Sequence, residues 1–263
     1  MIDLRLGDCL EVMKTIKDNS IDAIITDPPY GTTACKWDSI IDFDLMWEQL
    51  NRIIKPNGAI VLFGAEPFSS ALRMSNINNY KYDLIWDKKR PSNFPLAKYV
   101  PLKTCENIIV FSNMRSTTGG KKGLETMKYY PQGLKDCNKT VTTTIKNSTG
   151  KTAKNFDFYK RQMTKTNYPK ELIYFKQESK KVHPIQKPIA LMEYLIKTYT
   201  NENETVLDFT MGSGSTMVAC VNTNRNGIGI EQDENYFNIA KKRLEEKKEE
   251  KDNEPPTLFN AQD

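Results

Sequence analysis

The stretch Val206-Leu-Asp-Phe-Thr-Met-Gly-Ser-Gly-Ser-Thr216 decides the fold, because an apolar strand pattern leads there into a glycine turn that opens a helix. About fifteen residues later, the strand pattern Ile228-Gly-Ile-Glu231 ends in a carboxylate. A turn of this kind presents backbone amides at the helix start, at the carboxyl edge of a sheet. A carboxylate that ends the next strand can accept both hydroxyls of a ribose. The stretch therefore predicts a site for an adenosine ligand.

The glycine spacing argues against two related turns. The third glycine of a dinucleotide fingerprint would fall at Met217, and no lysine follows the glycines as it would in a phosphate-binding P-loop. The turn therefore suits an adenosine ligand without a pyrophosphate better than a dinucleotide. A purely structural turn stays open as an alternative, since two glycines alone are a weak signal.

Strand-like and helix-like patterns alternate on both sides of this turn. Helical patterns, such as the face marked by Trp47, Leu50 and Ile53, separate most of the strand-like runs. Alternation of this kind implies crossover connections and a mainly parallel sheet, so we predict an α/β fold with a Rossmann-like, mostly parallel sheet. The strand-like runs cover residues 2–6, 22–26, 59–63, 82–86, 107–111, 205–209 and 227–231.

The net charge of +5 is distributed unevenly along the 263 residues. Residues 112–181 contain 16 Lys and Arg against 5 Asp and Glu, a local charge of +11, which leaves −6 for the remainder. This basic block is rich in Thr, Lys, Asn and Gly with interspersed Tyr and Phe, and it shows no sustained helical or strand period. Each single lysine there can simply be solvated, but the block as a whole predicts a polyanionic partner.

Composition excludes several classes of protein. A mean hydropathy of −0.59 and the lack of an apolar run of about 20 residues argue against a membrane protein, and the N-terminus lacks a signal-peptide pattern. Five cysteines without a C-x-x-C pair argue against a disulfide scaffold or a zinc knuckle. The single histidine, His183, argues against a metal site. We expect a soluble, cytoplasmic protein without a metal.

A second motif, Asp27-Pro28-Pro29-Tyr30, follows the buried strand pattern at 22–26. Its two prolines fix the backbone and remove two N–H donors, which leaves their carbonyls and the Asp27 carboxylate as rigid acceptors. An amino group with two hydrogens needs two such acceptors, and Tyr30 offers a flat ring on which a base can stack. The alternative is a Pro-Pro turn that only closes a strand.

Taken together and in this order, the two motifs resemble those of the DNA amino-methyltransferases that use S-adenosylmethionine, in the circularly permuted β group of that family. The resemblance covers roughly residues 2–245 apart from the basic block. Gly7-Asp8-Cys9 and His183-Pro-Ile-Gln-Lys-Pro188 are similar to further family motifs, with weaker matches at 106–111 and 129–132. The family's usual D-P-F-x-G-x-G differs here, because Phe209-Thr210 stands where Pro-Phe is expected.

The resemblance implies methylation of adenine N6 in DNA, most simply double-stranded DNA, as in restriction–modification systems. The adenine is flipped out of the duplex, and its N6 nitrogen attacks the methyl group of the cofactor directly. A tetrapeptide that begins with Asp is associated in the family with adenine and one that begins with Ser with cytosine, so cytosine N4 methylation is the alternative. A non-catalytic nucleic-acid-binding protein with this fold and a methyltransferase of RNA or single-stranded DNA also stay open. Homodimers are common in the family, but no segment here points to a dimer surface.

The resemblance also assigns residues and regions. The catalytic residues are Asp27, Pro28, Pro29 and Tyr30. The cofactor-binding residues are Asp8, Cys9, Lys187, Asp208, Phe209, Thr210, Gly212, Gly214 and Glu231. The DNA-binding residues are Lys121, Lys122, Lys128, Lys151, Lys154 and Arg161. The regions are a first catalytic part at 1–111, an inserted basic target-recognition region at 112–181, a second catalytic part at 182–248 and a polar tail at 249–263. Residues 31–38 are expected to form a loop that closes over the flipped base.

Overall fold

The structure is a computed structural model that describes residues 1–32, 39–119, 124–146, 156–177 and 186–253. Several predicted features lie outside these residues. They are most of the closing loop after Tyr30, Lys121, Lys122, Lys151, Lys154, His183 and the end of the polar tail.

The described residues form six α-helices and ten strands. The helices are α1 Cys9–Met13, α2 Phe43–Ile53, α3 Phe68–Ser75, α4 Ile189–Tyr199, α5 Ser215–Asn222 and α6 Glu234–Asn253, with a 3₁₀ turn at Phe94–Leu96. The strands are β1 Ile2–Leu6, β2 Ile21–Thr26, β3 Ile54–Gly64, β4 Tyr80–Ser92, β5 Lys103–Phe111, β6 Lys135–Lys146, β7 Phe156–Thr166, β8 Leu172–Tyr174, β9 Thr205–Asp208 and β10 Asn226–Glu231.

Eight strands build one sheet in the order β1-β10-β9-β2-β3-β5-β4-β8. Neighbours from β1 to β3 are parallel, β5 runs antiparallel to both β3 and β4, and β8 is parallel to β4. The prediction of a mostly parallel α/β sheet is confirmed. Strand β2 sits in the middle and is buried along its whole length, as expected for a parallel strand covered on both faces.

Two apolar layers cover the sheet. On one face Ile24 and Leu62 pack in a cluster with Leu50 of α2 and Leu72 of α3. On the other face a second cluster joins Ile25, Val61 and Phe63 to α4, α5 and α6 through buried side chains such as Leu191, Leu195 and Ala240. Alternate residues of β2 thus point into different layers, which holds this strand rigidly in the core.

The strand order brings together motifs from opposite ends of the chain. Ala23 and Ile24 of β2 pair with Val206 and Leu207 of β9 in parallel register. The tetrapeptide after β2 and the glycine turn after β9 therefore leave the sheet at the same edge. This juxtaposition is what a circularly permuted Rossmann-like sheet requires.

At the opposite edge of the sheet, a buried carboxylate organises the start of β2. Asp22 is 2% exposed, and it accepts hydrogen bonds from the ammonium groups of Lys55 and Lys128, each at 2.8 Å, and from the amide of Thr205 at 3.0 Å. Lys128 also donates to Glu204 at 2.6 Å. These contacts lower the pKa of Asp22 although burial acts to raise it.

Residues 131–170 form a separate compact unit. Strands β6 and β7 pair antiparallel there, from Lys135 opposite Thr166 to Lys146 opposite Phe156. This hairpin was not expected from a segment without a strand period. Its described side chains are mostly exposed or half-buried, so no apolar face imposes an alternation that the sequence could reveal. The unit lies inside the predicted insertion at 112–181, whose boundaries stay a prediction.

No helix among the described residues is long and apolar enough to cross a membrane. The last helix, α6, continues to Asn253, a few residues into the segment predicted as a polar tail.

Candidate functional site

A cavity of about 540 Å³ opens at the edge where the parallel strands end. Residues after four neighbouring strands line it, as expected for the ligand crevice of an open α/β sheet. They come from the segments after β1 (Gly7, Asp8, Cys9, Leu10), after β2 (Asp27, Pro28, Pro29, Tyr30), after β9 (Phe209, Thr210, Gly212) and at the end of β10 (Glu231, Gln232).

Glu231 holds the glycine turn in place at one end of the cavity. Its carboxylate accepts hydrogen bonds from the amide of Gly212 at 2.9 Å and from the amide of Asp233 at 2.8 Å. Partial burial raises the pKa of Glu231 although these amides oppose the rise. Gly212 has a φ of +52°, and a Cβ placed there would meet no atom within 4 Å. The glycine therefore leaves free space where a ligand can approach the backbone.

Gly7, Asp8 and Cys9 lie beside Glu231. The amide of Gly7 donates to the carbonyl oxygen of Glu231 at 2.9 Å, and Asp8 caps α1 by accepting from the amide of Leu10 at 2.9 Å. Burial and then the Asp8 carboxylate raise the pKa of the Cys9 thiol to about 12. Cys9 is therefore a neutral wall of the cavity and not a nucleophile.

Two predicted cofactor-binding residues have structural roles instead. Asp208 is 4% exposed and is absent from the cavity lining; it accepts from the hydroxyls of Thr26 at 2.6 Å and Thr216 at 2.5 Å. Burial raises its pKa to about 6. Gly214, at φ +80°, also does not line the cavity, and its missing Cβ lets α6 approach, because a Cβ would lie 2.9 Å from that of Ala240.

Phe209 and Thr210 do line the cavity. Phe209 is 1% exposed and packs in the same apolar cluster as Leu207 and Ile230, so most of the residue belongs to the core. The hydroxyl of Thr210 donates to the backbone carbonyl of Asp27 at 3.0 Å. The shifted aromatic position of this sequence thus still places Phe209 at the cavity wall.

The tetrapeptide Asp27–Tyr30 forms the other end of the cavity. The carboxylate of Asp27 accepts from the Tyr30 hydroxyl at 2.5 Å and pairs with the Lys187 ammonium at 2.8 Å. The Tyr30 ring stacks on Phe68 with centroids 5.0 Å apart. The prolines carry no N–H, so the Asp27 carboxylate and the backbone carbonyls supply the hydrogen-bond acceptors here.

Lys187 lies beside the tetrapeptide. Its Nζ lies between the carboxylates of Asp27 and Glu106 and 4.7 Å from the ring centroid of Phe63. A contact between Lys187 and the cofactor, as its predicted role requires, would have to compete with these two carboxylates. The cofactor-binding role of Lys187 stays a prediction.

Two residues of this end were missed by the sequence analysis. Glu106 accepts from Lys187 and, at 3.1 Å, from the Tyr30 hydroxyl, and Lys88 lies 3.5 Å from its second oxygen. Both line the cavity. Because β5 runs antiparallel, the first half of this strand lies at the edge where the parallel strands end. For Glu106, the sequence signals were an acid directly before the apolar run at 107–111 and the weak family match that begins at this residue.

Burial and neighbouring charges shift the pKa values of the two carboxylates, Asp27 and Glu106, in opposite directions. Burial, only partly offset by the Lys187 charge, raises the pKa of Asp27. Burial acts on Glu106 in the same direction, but Lys187 and then Lys88 lower its pKa below the ordinary value. Burial opposes the charge of Lys187, yet the two carboxylates keep its pKa above the ordinary value. Asp27 is therefore the carboxylate of this pair that takes up a proton first.

Of the predicted DNA-binding residues, the structure describes only Lys128 and Arg161. Lys128 contradicts the prediction, because its side chain is 14% exposed and its ammonium is neutralised by Asp22 and Glu204. Such a lysine stabilises the fold and is not free to bind a phosphate. Arg161 is exposed on β7, opposite Val141.

Fold and site together define a class of protein, an α/β methyltransferase in which a D-P-P-Y tetrapeptide and a glycine turn face one cavity. Comparison with known proteins gives the family. The DNA methylase family of N6 and N4 methyltransferases matches residues 21–242, and the chain belongs to this family.

Individual relatives agree with that assignment. The chain is 27% identical to the type II methyltransferase M.HpaI of Haemophilus parainfluenzae over 93% of this chain and 75% of the relative. It is 29% identical to the type II methyltransferase M.HinfI of Haemophilus influenzae over 91% and 67%, respectively. The crystal structure of the M1.HpyAVI–SAM complex superimposes with a TM-score of 0.60 and 29% identity, over 93% of this chain and 99% of the other.

Proposed function

We propose that this chain transfers the methyl group of S-adenosylmethionine to the N6 amino group of an adenine flipped out of double-stranded DNA. One observation supports this most directly. The Asp27–Tyr30 tetrapeptide and the Gly212–Glu231 pair line the same cavity of about 540 Å³. This volume lies within the range of small-molecule sites. A donor ligand and an extruded base can therefore meet there.

The residues present fit the cofactor. Glu231 is a carboxylate at a strand end that can accept both ribose hydroxyls, and Gly212 leaves open space beside its backbone. Asp8, Cys9, Phe209 and Thr210 would complete the adenosine end of the site. S-adenosylmethionine supplies an electrophilic methyl group on a sulfonium sulfur.

The tetrapeptide would hold the target amino group. The N6 lone pair is delocalised into the adenine ring and is a weak nucleophile. Acceptance of its two hydrogens by the Asp27 carboxylate and the Pro28 carbonyl favours a tetrahedral nitrogen with an available lone pair. Fixing that nitrogen in line with the methyl group contributes the larger part of the rate. The proton lost after transfer can pass to Asp27, whose raised pKa makes it a competent acceptor.

Transfer of labelled methyl groups to mixed-sequence DNA tests this proposal. We expect wild-type protein to label DNA, Asp27→Ala to abolish transfer, and Asp44→Ala, a change to an exposed acid on α2, to retain it. Undiminished transfer by Asp27→Ala would overturn the proposed site. Digestion of the product to nucleosides should give N6-methyladenine, and N4-methylcytosine would instead support the alternative that the family also contains.

The basic block at 112–181 is proposed as the target-recognition region. Base flipping costs a few kcal/mol, and lysine contacts to phosphates supply favourable free energy that is independent of sequence. Replacement of the lysines between Lys121 and Lys181, Lys128 excepted, should weaken DNA binding and flatten its salt dependence. Binding of S-adenosylmethionine, measured by calorimetry, should stay unchanged.

The free cysteines Cys9, Cys105, Cys137 and Cys220 fit a reducing compartment, and we propose that the protein is cytoplasmic.

A further inference from the structure

The loop that joins β4 to β5 exposes a cluster of large apolar side chains. Phe94 is 62% exposed and Tyr99 is 82% exposed, while Leu96 and Val100 are each 46% exposed. These four residues lie within seven positions of the chain and outside the predicted basic block. Single exposed apolar residues are ordinary, but a local group of them indicates a surface that meets a partner.

The backbone of this loop is ordered by its own hydrogen bonds. Asn93, at φ +72°, leads into the 3₁₀ turn at Phe94–Leu96, and the amide of Leu96 donates to the carbonyl of Asn93 at 3.1 Å. The amide of Tyr99 then donates to the carbonyl of Leu96 at 2.9 Å. The turn therefore orders the backbone that carries Phe94 and Tyr99, which lowers the backbone entropy lost when a partner binds.

The chain segment that carries these rings is basic. Residues 88–103 contain five basic residues and no Asp or Glu. Lys89 pairs with Asp87 at 2.7 Å and lies 5.7 Å from the ring centroid of Tyr174. Among the described residues, no carboxylate lies within 4.0 Å of the charged groups of Arg90, Lys98 or Lys103. Arg90, Lys98 and Lys103 can therefore bind an anionic partner.

The two strands that the loop connects reach the cavity. Lys88 of β4, before the loop, lines the cavity, and so does Glu106 of β5, after the loop, which pairs in register with Trp86 of β4. A polymer that delivers a base to Asp27 would therefore pass close to this loop.

We propose that residues 88–103 contact the DNA strand beside the flipped base. Arg90, Lys98 and Lys103 bind its phosphates, while Phe94 and Tyr99 stack on bases that extrusion leaves uncovered. This inference rests on the proposed function, since it takes DNA as the partner. Cations next to exposed aromatic rings are the combination that binds a nucleic-acid strand. A second copy of the chain is disfavoured as the occupant, because a two-fold contact would bring two basic loops together.

The proposed phosphate contacts are tested by measuring how the triple variant Arg90→Gln/Lys98→Gln/Lys103→Gln binds a short mixed-sequence DNA duplex. The matched control is Lys241→Gln/Lys242→Gln/Lys248→Gln, which removes three exposed charges from α6. If all three loop residues bind phosphates, the slope of log affinity against log salt should fall by about 2.7, or 0.9 per contact. The α6 variant should bind as the wild type does. An equal loss in both variants, or no loss in the loop variant, would overturn the proposal.

The aromatic part is tested by photo-cross-linking to DNA that carries 5-iododeoxyuridine. Mass spectrometry should find the cross-link on Phe94 or Tyr99, and Phe94→Ser/Tyr99→Ser should remove it and weaken binding about tenfold. Cross-links found only on other residues would contradict the proposal. It would also be contradicted if the wild type sediments as a dimer and Phe94→Ser/Tyr99→Ser makes it monomeric without any change in DNA affinity. Wild-type protein that binds the duplex but transfers no methyl group would instead contradict the proposed function and leave the loop inference standing.

Discussion

The Thr210 hydroxyl donates a hydrogen bond to the backbone carbonyl of Asp27 over 3.0 Å, and these two residues are 183 positions apart in the chain. The bond joins the segment after β9 directly to the tetrapeptide after β2. It fixes the distance between the cofactor end and the catalytic end of the cavity more tightly than strand pairing alone can, because both segments have already left the sheet.

Thr210→Val should therefore lower the rate of methyl transfer more than it lowers cofactor affinity. The variant also removes the 2.7 Å contact between the Thr210 and Thr26 hydroxyls. Each neutral hydrogen bond is worth about 0.5–1.5 kcal/mol, so loss of the bond to Asp27 alone corresponds to a rate about 2- to 10-fold lower if that bond only positions Asp27. Thr210→Ser keeps the hydroxyl and should restore most of the rate. Comparison of kcat with the calorimetric affinity for S-adenosylmethionine checks this. Equal rates for Val and Ser would show that the bond has no positioning role.

Lys187→Met should move the acid limb of the pH–rate profile to higher pH. In the proposed mechanism activity requires ionised Asp27, so it should be lost as the pH falls through the pKa of Asp27, which burial already raises. Removal of the neighbouring cation should raise this pKa further, because a nearby positive charge favours the ionised carboxylate. Lys187→Arg retains the charge and should leave the limb near its wild-type position. An acid limb that does not move in Lys187→Met would contradict control of Asp27 by Lys187.

Glu231→Gln should weaken S-adenosylmethionine binding by about 10- to 100-fold, because hydrogen bonds to a charged acceptor are worth about 1.5–3 kcal/mol. The amide oxygen of Gln can still accept from Gly212, so the glycine turn should keep its conformation. Glu234→Gln, at the exposed start of α6, is the control for loss of a nearby negative charge. Similar affinities for the two variants would remove Glu231 from the proposed cofactor site.

The two glycines of the turn should respond differently to alanine. Gly214→Ala puts a Cβ 2.9 Å from that of Ala240 at a φ of +80°, so it should lower the free energy of unfolding by about 1–3 kcal/mol. Gly212→Ala, at a φ of +52°, also strains the backbone, by about 1–2 kcal/mol, but its methyl group meets no atom and enters open cavity space, so this variant should in addition weaken cofactor binding. Denaturant unfolding and calorimetry on both variants separate the two effects. A stable Gly214→Ala protein would disprove the close packing against α6.

Lys128→Gln should destabilise the protein and leave its DNA affinity unchanged. The free energy of unfolding should fall by about 1–3 kcal/mol. This is less than the loss on breaking an isolated buried ion pair, because Lys55 still pairs with Asp22. The pKa of Asp22 is lowered in the folded state, so its stabilising contribution is present above the unfolded pKa of about 3.9 and lost as the pH falls through the folded value. The stability difference between variant and wild type should therefore shrink in acid. A flatter salt dependence of DNA binding in Lys128→Gln would restore its predicted role.

Much of the site could be predicted from sequence because it depends on local order. A strand followed by a glycine turn or by D-P-P-Y places its last residue at the carboxyl edge, and parallel strands share that edge. Asp27, Gly212 and Glu231 therefore line one cavity in the structure, as their positions after three strands suggested. The class of fold followed from the same alternation of patterns.

Tertiary structure alone decided which charges meet. In the sequence Lys128 looked like any lysine of a basic block, yet it pairs with Asp22, 106 positions away. The local sequence around a charged residue does not reveal which distant residue will be buried beside it. Glu106 and Lys88 reach the cavity only through the antiparallel placement of β5 between β3 and β4. Local patterns determine where a strand ends, whereas the register between distant strands determines which side chains are buried together and how their pKa values shift.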